Sequence, residues 1–369
     1  MRRATAGLVA AALVFTLGGT TGAATHATAT PNAKLQRLVR GLVRAGAPGA
    51  LVVVRTPTGT RRAASGVADR SQKRPLRVTD RYRIASVTKA FVATVTLQLV
   101  AERRLALADS VERWLPGLVP NGQSITIRQL LNHTSGLFDY GADADWEAAR
   151  LADPGRTWSP RELVAIATAH EPLFAPGTSW AYSNTNYVLL GLAVEAATGR
   201  PLADELQTRV FDRLALRSTS YPTGAAIPGR YAHGYVVSRP PLPTPPGMLI
   251  DVSTILNPSA WGAGQMVSNA DDLTRFITAL ARGRLLPAAQ LRAMKTAARG
   301  SAGAYGLGLG LVTSRCGRAI GHDGDIAGYR NVVLGTVDGR RAVAIMINID
   351  LRVSWARLHE AAFTALCSG

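Results

Sequence analysis

Ser86-Val87-Thr88-Lys89-Ala90-Phe91-Val92-Ala93-Thr94-Val95-Thr96-Leu97-Gln98-Leu99-Val100 is the stretch on which the fold turns. After Lys89 it carries no charge and no helix breaker, so it reads as a helix buried on every side, with Ser86 in its first turn. Residues three apart share a helix face. Ser86 Oγ and Lys89 Nζ can therefore meet, with the hydroxyl near the positive end of the helix dipole. The chain has only four lysines, Lys34, Lys73, Lys89 and Lys295, and only Lys89 has a serine three residues before it. A serine hydroxyl is a poor nucleophile until a base takes its proton, and a lysine can take it once burial or nearby positive charge makes the amine neutral.

Two later motifs supply what this pair lacks. In Tyr182-Ser183-Asn184, which follows the turn at Pro176-Gly177, the phenol can shuttle a proton between nucleophile and leaving group. Asn184 can offer its amide to a substrate carbonyl and hold Lys89. In His322-Asp323-Gly324, His322 is expected to face the cleft from a strand near Tyr182, and Gly324 to let a substrate lie close to that strand. The backbone N–H groups of Asp325 and Ser86 would then form an oxyanion hole. Trp146 and Trp261 are candidates to wall the cleft, although tryptophans more often pack in a core. His133 reads as a loop brace, and His170 and His233 as structural or exposed. Asp139 beside Tyr140 suggests half of a Ser/His/Asp triad, the weaker scheme because Ser86 already has Lys89 at helical spacing.

In this order and spacing the motifs resemble the serine β-lactamase and penicillin-binding-protein superfamily, and within it class C β-lactamases and secreted D-alanyl-D-alanine carboxypeptidases. The likeness covers about residues 33 to 366 and takes in Leu130-Leu131-Asn132-His133-Thr134-Ser135-Gly136-Leu137, Gly262-Ala263-Gly264 and Tyr305-Gly306-Leu307-Gly308-Leu309. It implies that Ser86 is acylated, that Lys89 and Tyr182 handle protons, and that His322 stands where the family usually has the lysine of Lys-Thr-Gly. It implies no cofactor, a peptide, amide or ester substrate such as a peptidoglycan stem peptide, and β-lactams as covalent ligands. The expected activity is that of a D-alanyl-D-alanine carboxypeptidase-like peptidase. Alternatives are an esterase, D-amino-acid amidase or D-aminopeptidase on the same scaffold, or a slow penicillin-binding sensor or decoy. Two departures stand out: Asp323 and Asp325 replace small or hydroxyl residues, and Gly310 stands where such carboxypeptidases carry a carboxylate-binding arginine. Arg315, Arg318 and Arg330 are the candidates to replace that arginine.

Outward from the motifs, the pattern splits. Leu51–Arg55, Arg61–Val67, Tyr305–Val312, Arg318–His322, Asn331–Val337 and Arg341–Asn348 read as strands, with Asp338-Gly339 as a hairpin turn. Helices are expected over Ala33–Ala45 and Val353–Leu366. Residues from about 106 read as short helices joined by Pro/Gly-rich loops. The expected fold is α/β plus all-α: an antiparallel five-stranded sheet flanked by N- and C-terminal helices, with an inserted helical domain. The sheet domain is assigned to 30–105 and 250–369 and the insertion to 106–249; Arg239–Gly247 reads as a proline-rich connector.

Residues 1–29, with Arg2, Arg3, an apolar run and small residues, read as a secretory signal, so a secreted or cell-wall-associated protein without a membrane anchor is expected. The net charge is +18, but the arginines are scattered, without interleaved aromatics or a groove-reading motif, which argues against nucleic acid. A monomer is expected. Cys316 and Cys367 are the only cysteines, and an even count in an exported chain points to a disulfide. Closing a loop of about 50 residues is worth roughly 4 kcal/mol in the chain-entropy picture. Two cysteines without matching histidine spacing argue against a bound metal.

Overall fold

The computed structural model describes residues 31–238, 244–255, 257, 259–301 and 303–368. The expected signal segment and residues 239–243 of the proline-rich connector lie outside the described residues. Seven antiparallel strands form one sheet: Gly49–Thr56 (β1), Gly59–Asp69 (β2), Arg74–Pro75 (β3), Gly310–Ser314 (β4), Gly317–Ile326 (β5), Tyr329–Thr336 (β6) and Ala342–Ile347 (β7), in the order β3-β2-β1-β7-β6-β5-β4. The sheet has seven strands and not the five expected: its edges are the two-residue β3, outside the expected strands, and the short β4, which overlaps the end of the expected strand Tyr305–Val312. The hairpin between β6 and β7 turns at Gly339, whose φ is +67°.

Four helices bear on the site: Pro31–Arg44 (α1), Thr88–Ala101 (α2), Thr185–Thr198 (α3) and Trp355–Cys367 (α4). Side chains alternate across β1 with the two-residue period of a strand. Ala50, Val52 and Val54 pack with Leu35, Val39 and Leu42 of α1 and Leu358, Ala362 and Leu366 of α4. Leu51 and Val53 face the opposite core, which runs through α2 into the helical region at Leu130, Leu189 and Phe211. Each such fully buried side chain contributes about 1.5–3 kcal/mol. Helix α2 is buried all round, from Thr88 to Leu99, and its threonines return their hydroxyls to the helix, Thr94 to Ala90 O and Thr96 to Val92 O.

The short helices between the two parts of the sheet span Val111 to Leu214, followed by a ribbon pairing Tyr235–Val237 with Leu249–Asp251. The expected strand Tyr305–Val312 begins only at Gly310. The preceding turn is pressed against α2 and α3: a Cβ on Gly308, at φ +77°, would lie 2.4 Å from Ala93 Cβ and 2.8 Å from Tyr187 Oη. Strand β5 is longer than Arg318–His322 and runs to Ile326, while β4 pairs with it only as far as Gly310 opposite Gly321. Residues 322–326 thus extend beyond their β4 partner along one edge, and that edge faces Ser86. Cys316, in the β4–β5 turn, is bonded to Cys367 at the end of α4, 51 residues away. Among the described residues, no helix is long and apolar enough to cross a membrane.

Candidate active site

The short strand Tyr82–Arg83 leads through Ile84 to Ala85, which takes φ +48°, a left-handed conformation that costs a non-glycine residue about 1 kcal/mol. That bend swings Ser86 into a tight turn, Ala85–Val87, which runs directly into α2. One turn on, Lys89 is fully buried. Its Nζ lies 3.0 Å from Ser86 Oγ, 2.7 Å from Asn184 Oδ1 and 2.7 Å from Ala263 O. A neutral amine has two N–H groups and one lone pair. Here two carbonyl oxygens take the N–H groups and the lone pair is left for the Ser86 O–H, so the surroundings suit a base aimed at the nucleophile. Burial pushes Lys89 down to about 7, with the charge of Asp139 opposing the shift.

Asp139 is the anchor of this network. Its Oδ1 accepts from the backbone N–H groups of Gly141, at 3.0 Å, and Asn184, at 3.1 Å, and its Oδ2 accepts from Asn184 Nδ2 at 3.0 Å. Asn184 therefore presents its oxygen to Lys89 and spends one of its two N–H groups on Asp139, leaving at most one for a substrate carbonyl. Asp139 makes no part of a Ser/His/Asp triad; it orients the residue that orients Lys89.

Tyr182 sits in the loop before α3 and borders the same cavity as Ser86, with Lys89 Nζ 4.9 Å from its ring centroid. Its enclosed position pushes the phenol well above its ordinary value, so it is neutral and able to donate. His133, buried and at φ +62°, packs against Tyr182 with 4.4 Å between ring centroids and 32° between the ring planes, and its Nδ1 accepts from the Ser183 N–H at 3.2 Å. Burial keeps it neutral, so it braces the loop that carries Tyr182.

On the β5 edge, His322 Nδ1–H donates to Asp323 O at 2.6 Å, which leaves Nε2 to accept from the Tyr305 O–H at 2.9 Å. Burial, reinforced by Lys89, pushes His322 down to about 4, so it is an uncharged imidazole with both nitrogens engaged. Gly324 does something different from what its motif suggests. A Cβ there would lie 2.2 Å from Ile84 O, so the missing side chain lets β5 close onto the segment carrying Ser86.

Ser86 opens on two sides. One cavity, of about 230 Å³, has Tyr140, Trp146, Arg150, Ala260 and Gly264 in its walls; the other, of about 530 Å³, has Tyr182, Tyr305, His322, Asp323 and Trp355. Asn184 and Asp325 border both. Trp146 thus stands in the smaller lobe. Trp261 does not wall the cleft as expected: its ring fills the space above Gly191 on α3, where an added Cβ would sit 2.3 Å from Cζ3. The smaller lobe is bordered instead by its neighbours Ala260, Ala263 and Gly264.

Neither aspartate on β5 is alone. Asp323 Oδ2 accepts from His359 Nε2–H of α4 at 2.7 Å. Asp325 Oδ1 accepts from Arg330 Nε at 3.3 Å; burial raises its carboxyl from the ordinary value. Arg330 is committed, with Nη1 on Val353 O and its guanidinium 4.9 Å from the Trp355 ring centroid. Arg318 pairs with Thr313 four residues down β5 from His322, roughly 13 Å away. Arg315 lies in the turn beyond. The larger lobe is therefore bordered by two carboxylates and, among the described residues, by no lysine or arginine.

Sequence reasoning missed Tyr305, Trp355 and His359 as members of the site. Tyr305 stood inside the Tyr-Gly-Leu-Gly-Leu motif, and the two glycines that bend its segment were the available signal. For Trp355 and His359 the local sequence carried none.

A buried lysine neutralised beside a serine, a neutral phenol bordering the same cavity and a strand edge across the gap define a serine acyl hydrolase. The Beta-lactamase family model matches residues 35–365, and the chain belongs to that family. Penicillin-binding protein 4* of Bacillus subtilis (strain 168) is 31% identical over 297 residues, which cover 77% of this chain and 64% of that protein. The chain thus spans less than two thirds of the length of the curated relatives it matches. A D-stereospecific amidohydrolase from Streptomyces sp. superposes with TM-score 0.82 at 40% identity, covering 92% of this chain and 99% of that one. The D-amino acid amidase from Ochrobactrum anthropi SV3 gives TM-score 0.81 at 29% identity, covering 92% and 98%.

Proposed function

We propose that this protein is an exported amidohydrolase that cleaves D-amino-acid amides and short D-amino-acid peptides whose leaving group bears no carboxylate. Neutral Lys89 takes the Ser86 proton as Oγ attacks the carbonyl, and the oxyanion forms between the backbone N–H groups of Ser86 and Asp325. Tyr182 gives its proton to the leaving amine and regains one from Lys89, freeing the first product and leaving an ester on Ser86. Water then attacks that ester, its proton passing back through the same pair.

The observation that carries the substrate choice is the larger lobe, with Asp323 and Asp325 in its wall and, among the described residues, no lysine or arginine lining it. Two like charges about 4 Å apart repel by roughly 4 kcal/mol at an effective dielectric near 20. Solvent reduces this at half-exposed groups, but the sign disfavours a terminal carboxylate and suits a carboxamide or an amine. The D-specific amidohydrolases among the structural neighbours support the same reading. Export is supported by the leader-like first 29 residues and by the Cys316–Cys367 bond.

The test is kcat/KM on a panel: a D-amino-acid amide, a D-Ala-D-Ala peptide, its C-terminal amide, a nitrophenyl ester and a cephalosporin. The peptide amide should exceed the free acid by about tenfold, and Asp323→Thr should narrow the gap. A wild-type preference for the free acid, unmoved by Asp323→Thr, would return carboxypeptidase activity to first place.

A further inference from the structure

We infer that His359, through its contact with Asp323, sets the charge of the larger lobe according to pH and so decides which leaving groups the enzyme accepts; this rests on the amidohydrolase reading above. His359 comes from α4, outside the motifs that carry the chemistry, and its Nε2 is 2.7 Å from Asp323 Oδ2. The two side chains are 36% and 41% exposed, so both protons and substrate can reach the pair. Asp323 itself borders the lobe.

The surroundings isolate this pair as the group that changes charge near neutrality. On its own helix, among the described residues, the ring contacts of His359 are with Trp355 and Phe363, at 5.7 and 6.3 Å. From β5 it faces Asp323. Next to Asp323 lie His322, held uncharged by burial, and Tyr182, held neutral in the same way. Asp325 is the other carboxylate, and Arg330 from β6 stays on it as a fixed cation. Lys89 titrates too, at about 7, but it belongs to the bond-breaking machinery that every substrate shares.

The sign follows. With His359 protonated, imidazolium and carboxylate cancel, and a leaving group with a carboxylate meets little repulsion. With His359 neutral, Asp323 stands as a net negative charge beside the leaving group, disfavouring a carboxylate and favouring an amine or carboxamide. The hydrogen bond to Asp323 raises His359 above the ordinary imidazole value, so the change falls at higher pH than for a free imidazole.

The readout is the ratio of kcat/KM for a D-dipeptide amide to that for the same D-dipeptide as free acid. Both share one acyl group, so titration of Lys89, Tyr182 and the substrate's α-amine cancels. Between about pH 5.5 and about pH 8.5 the wild-type ratio should rise about three- to fivefold, the scale of a half-exposed ion pair. His359→Gln should hold it flat at the alkaline value. His359→Lys, with a permanent cation, should hold it flat at the acidic value, so a folding defect in one variant leaves the other to report. A wild-type ratio that does not change with pH, or a rise that survives in His359→Gln, overturns the role of His359. An amide preference without the rise leaves the amidohydrolase reading standing; a free-acid preference at every pH removes that reading, whatever His359 does to the slope.

Discussion

On one side of Ser86 the polar atoms are tied into a closed, buried network running from Asp139 through Asn184 to Lys89 and Ala263 O, with contacts of 2.7–3.1 Å. On the other, the strand edge carries Asp323 and Asp325, each half-exposed and each paired with a residue from another element, His359 of α4 and Arg330 of β6. The first region fixes a proton inventory: one neutral amine, one neutral phenol, one hydroxyl. The second sets an electrostatic environment that solvent pH can reach. Bond-breaking thus depends on the protonation of Lys89, which every substrate shares, and leaving-group choice on a strand edge that a single side chain can tune.

The buried side should give the largest effects. Ser86→Ala should abolish acylation and lower kcat/KM by about 10⁴-fold or more. A fluorescent penicillin should leave its adduct on the peptide containing Ser86, and labelling that persists in the variant would remove Ser86 from the mechanism. Next comes Lys89. Because the neutral amine is the base, kcat/KM should rise as pH increases through about 7. Asp139 holds that value up, so Asp139→Asn should move the profile to lower pH while slowing the reaction about tenfold as Asn184 loses its anchor. A profile that stays in place would mean that another group is the base.

How far each side could be read in advance follows from where its partners lie in the chain. Ser86 and Lys89 are three residues apart on a helix, so periodicity alone brought them together. The sheet joining both ends was legible because β1 and β7 carry apolar runs and β6–β7 carries its own turn signal. Its width was not, since two residues at Arg74–Pro75 leave no pattern. Gly324 was visible as a glycine, but its neighbour Ile84 O is a tertiary fact. Trp261 shows the same limit in reverse: beside a motif in sequence, it turns into the helical core. The pair Asp323–His359 spans 36 residues and two elements, with nothing local to announce it.

Tyr305 tests the boundary between the two regions. Its O–H donates to His322 Nε2, and Tyr305→Phe would leave that buried nitrogen without its donor at a cost of about 1 kcal/mol. We expect about a fivefold loss in kcat/KM, shared equally by the amide and free-acid substrates. A loss confined to one substrate would place His322 with the selective strand edge instead of the common machinery.

The Cys316–Cys367 bond should have the smallest effect on turnover, although its effect on stability is considerable. It closes a 51-residue loop, worth roughly 4 kcal/mol in the chain-entropy picture, so reduction should lower Tm clearly. Helix α4 should nevertheless stay docked, because Leu358, Ala362 and Leu366 remain buried against β1 and β7. The bond also lies far from the chemistry: Cys316 is about 20 Å along the strand direction from His322, and Cys367 about 12 Å along α4 from His359. Titration of unfolded, unreduced protein should find no free thiol, and reduced protein should give two. With the bond open and the protein still folded, kcat/KM for the amide should change less than about twofold, and the amide-to-acid ratio should keep its dependence on pH. A ratio that flattens on reduction would mean that the tether, and not the local contact with Asp323, holds His359 in register, and the selective side of the cleft would then be a property of the whole C-terminal helix.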